Sequence, residues 1–363
     1  MKQQRADKLL LRRRVLIIII PAVLLALALS LFLMRDKIRF GGKTGSEPLS
    51  LPVLYENSVI TACGDKIAIA DSFGLMLKNF SGKTVSELKV PLAFPALVCN
   101  DNFAVAYSVG ERYLLKVSSG ESLQLSVKGR ISDISISANG MLAVTSSETG
   151  YRGAVTIYDT NLSPVYTFLS AKGFPLCAKV SHNGKVFAAV TVSDSNSAVH
   201  LFSLDSEEPL GVYSLSEAVI RDVFFIGNNE LCCISENEAT FIDLGGNVLA
   251  SYAFNDKKLD KYCGSDDGFV CILLSDDNSH YLYSLGTGAN VLGSLTYTAP
   301  INSLSAKSSY ILVADSEKLM LYNRNLSLVK ENKPEREIAR AQIGGSLDAI
   351  VTYAGGGIYR IGL

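Results

Sequence analysis

Tryptophan is absent from this 363-residue sequence, and histidine occurs three times, as His182, His200 and His280. The first absence removes every signature that ends in Trp. The second leaves no His beside an acid and a nucleophile in an order that a catalytic triad uses, so the three read as structural or solvated. No two of the seven cysteines, Cys63, Cys99, Cys177, Cys232, Cys233, Cys263 and Cys271, have the two-residue gap of a zinc site. Odd in number and scattered, they read as buried thiols within strands, where a free Cys behaves as a small hydrophobe. The alternatives are one long-range disulfide or a metal site. A vicinal Cys232–Cys233 bridge is disfavoured because neighbouring strand residues point to opposite faces. After Met34 no apolar pattern of helical period reaches useful length, so the rest of the chain is expected to be nearly all β.

Two local clusters invite a site reading. Asp266-Asp267, and Asp276-Asp277-Asn278 with His280, bring acids together but lack the alternate-residue spacing and distal Glu of a calcium loop. They read as turn residues. Gly355-Gly356-Gly357 has neither a following helix nor a Lys-Ser or Lys-Thr pair, so it reads as a hairpin turn and not a phosphate cradle. No residue is assigned a catalytic, cofactor-binding or metal-ligating role, and no cofactor is expected.

Val15 to Met34 runs for twenty residues without a charge. At about 1.5 Å per residue it matches a hydrocarbon core of about 30 Å. A cleaved leader is the rival, with Ala26-Leu27-Ala28 as a mimic of the cleavage site, but Leu29 to Met34 stays apolar beyond it. Lys2, Arg5, Lys8, Arg12, Arg13 and Arg14 precede the span, and Arg35, Lys37, Arg39 and Lys43 follow it. The positive-inside bias therefore places the short tail in the cytoplasm and the remainder outside, by a margin of two charges; the reverse topology is the alternative. The expected organisation is a basic cytoplasmic tail over 1–14, a transmembrane signal-anchor over 15–34, a linker over 35–48 and one domain over 49–363. Removing the ten basic and two acidic residues of the first 43 leaves 24 Lys and Arg against 33 Asp and Glu. An acidic domain of this kind excludes nucleic acid as the natural partner, since phosphate binding needs clustered basic side chains.

From about Val59 onward one unit recurs eight times at a period near forty residues. The units align on a second strand: Lys66 to Ala70, Phe103 to Tyr107, Met141 to Thr145, Lys185 to Val192, Leu231 to Ser235, Phe269 to Leu274, Tyr310 to Ala314 and Asp348 to Tyr353. Turn pairs such as Asn139-Gly140 and Asn183-Gly184 separate β-branched runs. Such self-similarity predicts an all-β, eight-bladed β-propeller, with seven blades as the alternative. The last unit stops after its third strand, and the apolar run Leu49 to Leu54 is available to supply the fourth, which would remove two free sheet edges.

The third strands end in Tyr158-Asp159, Leu204-Asp205, Ile242-Asp243 and Tyr322-Asn323, which resembles the ending of WD-repeat blades. The Gly-His dipeptide and the Trp of that repeat are missing, as is the Trp that closes the quinoprotein docking motif. With its N-terminal span, the chain resembles a family of membrane-anchored, WD-repeat-like or quinoprotein-like propellers of unknown function found in Gram-positive bacteria. The resemblance implies an extracytoplasmic propeller with a role similar to that of envelope-assembly scaffolds. The expected function is a plasma-membrane-tethered binding or scaffolding module at the cell envelope, without catalysis, anchored through Val15 to Met34 and partnered by another envelope protein or polymer. A propeller-face hydrolase or lyase acting on an envelope polymer, or a ligand-sensing ectodomain, are the alternatives.

Overall fold

The computed structural model describes residues 46–48, 57–194, 196–345 and 347–363. They form eight four-stranded antiparallel sheets, each running in sequence order from an innermost to an outermost strand, with the ring closed by the N-terminal strand. This is an eight-bladed β-propeller. Blades 1 to 8 span residues 59–88, 95–126, 131–170, 174–216, 222–253, 258–297, 303–332 and 338–362, the last completed by 46–48. The candidate span Val15 to Met34 and the basic tail lie outside the described residues.

Burial explains why the second strand carried the repeat signal. Face-to-face packing of neighbouring sheets covers both sides of this strand, so it reads as a continuous apolar run, whereas the outermost strand keeps one side in water. Glu230–Ile234 is buried at every position, and Val186–Val192 at all but its last. The outermost strand Ser122–Ser126 alternates exposed and half-buried residues. Between the sheets lie apolar layers such as Val186, Val190, Val223, Phe225 and Leu231, which join blades 4 and 5.

The acidic or amide ending of the third strand has a local cause. In blades 1, 3, 5 and 7, Asn79, Asp159, Asp243 and Asn323 each accept, through Oδ1, the backbone N–H groups two and four residues on, at 2.8–3.1 Å. The side chain ties the hairpin to the outermost strand, as an Asx turn does. The turn also demands a left-handed residue. Gly82 and Gly246 supply it in two blades, but Leu162 (φ 63°) and Leu326 (φ 58°) do so in the other two. Both leucines are buried, Leu162 among Phe103, Tyr158 and their neighbours.

The ring closes between the first and the last of the described strands. Ser46–Pro48 pairs antiparallel with Ile358–Gly362 as the outermost strand of blade 8, with Ser46 opposite Ile361 and Pro48 opposite Tyr359. An N-terminal strand therefore closes the blade, and it comes from the end of the segment read as linker; Leu49 to Leu54 lies outside the described residues. At the seam between blades 8 and 1, Ile350 and Ile358 pack against Ile67 and Ile69.

Candidate functional site

Every inner strand ends at the tight hairpin to its own second strand, and in blades 2 to 8 it starts after the loop from the preceding blade. The eight inner strands line the channel, which thus has a hairpin face and a loop face.

Side-chain contacts between blades that are not neighbours narrow the hairpin-face mouth. Lys307 Nζ of blade 7 pairs with Asp101 Oδ1 beside blade 2, reaching past blades 8 and 1. His182 Nε2 of blade 4 lies 3.5 Å from Asp266 Oδ1 of blade 6. Asp267 accepts a hydrogen bond from the Ser309 hydroxyl. Beneath these contacts is a cavity of about 280 Å³ whose walls include Ala62, Cys99, Asp101, Asp266, Lys307 and Gln342.

Further along the wall, blades 3, 4 and 5 contribute Asp133, Lys179 and Asp222. Lys179 Nζ lies 3.5 Å from Asp222 Oδ1 and 5.9 Å from the centroid of the Phe224 ring. Burial alone would lower the lysine, but Asp222 first, with Cys177 and Asp133 behind it, outweighs burial and holds Lys179 above its ordinary value, as an ammonium. Burial raises Asp133, the nearby Asp222 adds to the rise, and Lys179 opposes it. Tyr107 OH donates to Asp133 Oδ1 at 3.4 Å and accepts from the Ile134 N–H at 3.3 Å. Its own pKa is pushed up to about 12, by burial first and Asp133 second. Held as an ammonium, Lys179 is a poor nucleophile and a ready ionic contact.

On the loop face, blades 1 to 4 differ from blades 5 and 6. Over blades 1 to 4 stand Phe73 (58% exposed), Phe94 (71%), Tyr151 (46%) and Phe174 (52%), with Val109 and Val219. Phe94 and Val109 are held side by side by the bond from the Val109 N–H to the Phe94 carbonyl at 3.2 Å. The Arg152 guanidinium lies 5.1 Å from the Phe174 ring centroid. Over blades 5 and 6 the face is charged: a groove of about 750 Å³ is bordered by Arg221, Glu236, Asp256, Lys257 and Lys258. Arg221 Nη2 and Glu236 Oε1 close one side of it at 2.5 Å.

The residues considered from sequence have partners of their own. His200 Nε2 lies 3.0 Å from Thr191 Oγ1, among Phe168 and Phe202, and burial lowers its pKa. His280 Nδ1 is 3.2 Å from Asp260 Oδ2. Asp276 accepts the N–H groups of Asn278 and Ser279 and the Tyr281 hydroxyl, as a turn residue does. Gly355 to Gly357 forms the hairpin between Tyr353 and Ile358, with Gly356 and Gly357 at φ 85° and 87°. Cys232 and Cys233 point into different apolar layers. Among the described residues no group of three or more His, Cys, Asp or Glu is placed to hold a metal ion. Sequence reading passed over Asp133, Lys179 and Asp222. The available signal was a charged residue inside an innermost strand, where the channel is the only water it can face.

Residues 74–363 match the family described as "Family of unknown function (DUF5711)". No curated protein matches the sequence. Among solved structures the chain is similar to Sqt1 of Saccharomyces cerevisiae, with a TM-score of 0.61 and 11% identity over 88% of this chain and 100% of that one. It is also similar to BamB of Moraxella catarrhalis, with a TM-score of 0.54 and 11% identity over 88% and 98% of the two chains. The C-terminal WD40 domain of Sif2 gives a TM-score of 0.56 and 14% identity over 88% and 97%. At these identities the likeness is one of fold.

Proposed function

We propose that this chain, which belongs to the DUF5711 family of unknown function, is a membrane-tethered, extracytoplasmic binding module whose loop face takes a protein partner of the cell envelope. The observation that carries the reading is the half-ring of exposed Phe73, Phe94, Tyr151 and Phe174 over blades 1 to 4. Large aromatic side chains left in water and bordered by charge are the usual anchors of a protein interface. The charged groove over blades 5 and 6 sets the orientation of that partner and its rate of approach. The tether is Val15 to Met34, and the six basic residues ahead of it support an outward-facing propeller. Catalysis is not part of the proposal.

The test compares full-length wild type with the double variant Phe73→Glu/Phe94→Glu after cross-linking in cells and detergent extraction. Both side chains are exposed, so the melting temperature is expected to stay within a degree or two. Proteins cross-linked to wild type should be lost from the variant. An unchanged set of cross-linked proteins would overturn the loop-face reading.

A further inference from the structure

Cys63 and Cys99 are 36 positions apart in sequence. The fold brings them together, because each lies at the hairpin end of an innermost strand, Val59–Cys63 in blade 1 and Pro95–Cys99 in blade 2. The two strand ends are in close contact. A Cβ placed on Gly64, the residue after Cys63, would stand 2.5 Å from the carbonyl oxygen of Asp101. The two residues share one apolar layer, with Cys63 buried and Cys99 half-buried and packed against it. Cys99 and Ala62, the residue before Cys63, also line the channel-mouth cavity of about 280 Å³, so a small molecule reaches the pair from the Cys99 side.

We propose that Cys63 and Cys99 form a redox-active pair that closes to a disulfide between blades 1 and 2 when a small peroxide enters the channel mouth. The Cys63 thiolate attacks one peroxide oxygen and the O–O bond breaks; Cys63 becomes a sulfenic acid and the departing hydroxide takes a proton to leave as water. The Cys99 thiol then attacks that sulfur, the S–O bond breaks, and the hydroxyl leaves with the Cys99 proton as a second water. Two thiols give up two electrons and the peroxide takes them. The roles follow from the surroundings. The neighbouring Cys99 thiol first, and Lys66 with it, lower the Cys63 thiol against the effect of burial, while burial raises Cys99. The other close pair, Cys263 opposite Cys271, lies within the single sheet of blade 6, and neither of its thiols lines the channel-mouth cavity.

The experiment uses the full chain, reduced, freed of reductant, and treated with hydrogen peroxide at a few equivalents. Differential alkylation and peptide mapping without reductant should show Cys63 linked to Cys99, a mass lower by about 2 Da and five cysteines still open to alkylation after denaturation. The oxidised protein should melt several degrees higher than the reduced one, since a cross-link restricts the unfolded chain. In Cys99→Ser, dimedone should trap a sulfenic acid at Cys63. Seven alkylated cysteines, a first bridge at Cys263–Cys271, or sulfinic acid at Cys63 without a bridge would each overturn the proposal. The wild-type map stands even if the Cys99→Ser variant does not fold.

Discussion

Gln342 and Thr61 are 281 positions apart, yet the amide of one and the hydroxyl of the other are hydrogen-bonded at 2.7 and 2.9 Å. Gln342 Oε1 also accepts the Ala62 N–H at 3.2 Å. These bonds stitch the innermost strand of the last blade to that of the first. They fix the seam at the channel wall, while the Ser46–Pro48 strand fixes it at the outer edge.

Removing the inner stitch should loosen the seam. Gln342→Ala leaves the Ala62 N–H and the Thr61 hydroxyl without this partner, at a cost of about 1–3 kcal/mol. In a domain of this size that is a fall of a few degrees in thermal midpoint. A double-mutant cycle with Thr61→Ala should show the two effects to be strongly non-additive, and simple additivity would contradict the assignment.

Removing the outer stitch is a separate matter. A chain lacking residues 1–44 retains Ser46–Pro48 and should unfold in one cooperative step. A chain lacking residues 1–49 exposes the edge of Ile358–Gly362 and should melt several degrees lower. Superimposable melting curves for the two would show that the strand contributes nothing to closure.

Leu162 sets backbone strain against burial. Left-handed backbone costs a non-glycine residue about 1–2 kcal/mol, whereas truncating a buried leucine costs about 2–5 kcal/mol. Burial wins, so Leu162→Gly should lower stability by about 1–3 kcal/mol even though Gly is the residue found at the matching position in blades 1 and 5. Chemical denaturation measures the difference directly, and a gain in stability would reverse the ranking of the two effects.

Asp133 makes stability depend on pH in an unusual direction. Its pKa is raised on folding, chiefly by burial, so the folded protein holds this proton more tightly than the unfolded chain does. Its contribution is fully present below the ordinary aspartate value, about 3.9, and is lost as pH rises through the folded value. Asp133→Asn removes that dependence. The stability of wild type relative to the variant should therefore decline on going from acid towards neutral pH, and parallel profiles would rule the carboxyl out as the source.

The proposed topology has a direct readout. Protease added to spheroplasts should digest the propeller while a cytoplasmic marker survives. Protection of the propeller until the membrane is opened would place it on the other side.

The architecture was legible because its signal is local and repeated. Each second strand is buried on both faces, which writes an apolar run such as Phe269–Ser275 into the sequence at every blade. The terminal Asp or Asn of the third strands was legible as a resemblance, but its role in tying the hairpin emerged only with the backbone geometry. The channel wall could not be read in advance. Asp133, Lys179 and Asp222 are separated by more than forty residues at each step and meet because three consecutive innermost strands share one axis. The Cys63–Cys99 contact was hidden for the same reason, since spacing within a strand says nothing about the neighbouring blade.

The strand Ser46–Pro48 runs from the hairpin face towards the loop face, antiparallel to Ile358–Gly362. A load applied between the chain ahead of Ser46 and a partner held on the loop face therefore acts along the strand axis. All three residue pairs bear it together, in shear. The same load applied between the chain ahead of Ser46 and the C-terminus would open the pairs one after another, because both ends lie at the hairpin face. The ring is thus a directional clasp, firm against tension drawn through the propeller and weak against tension drawn between its own two ends.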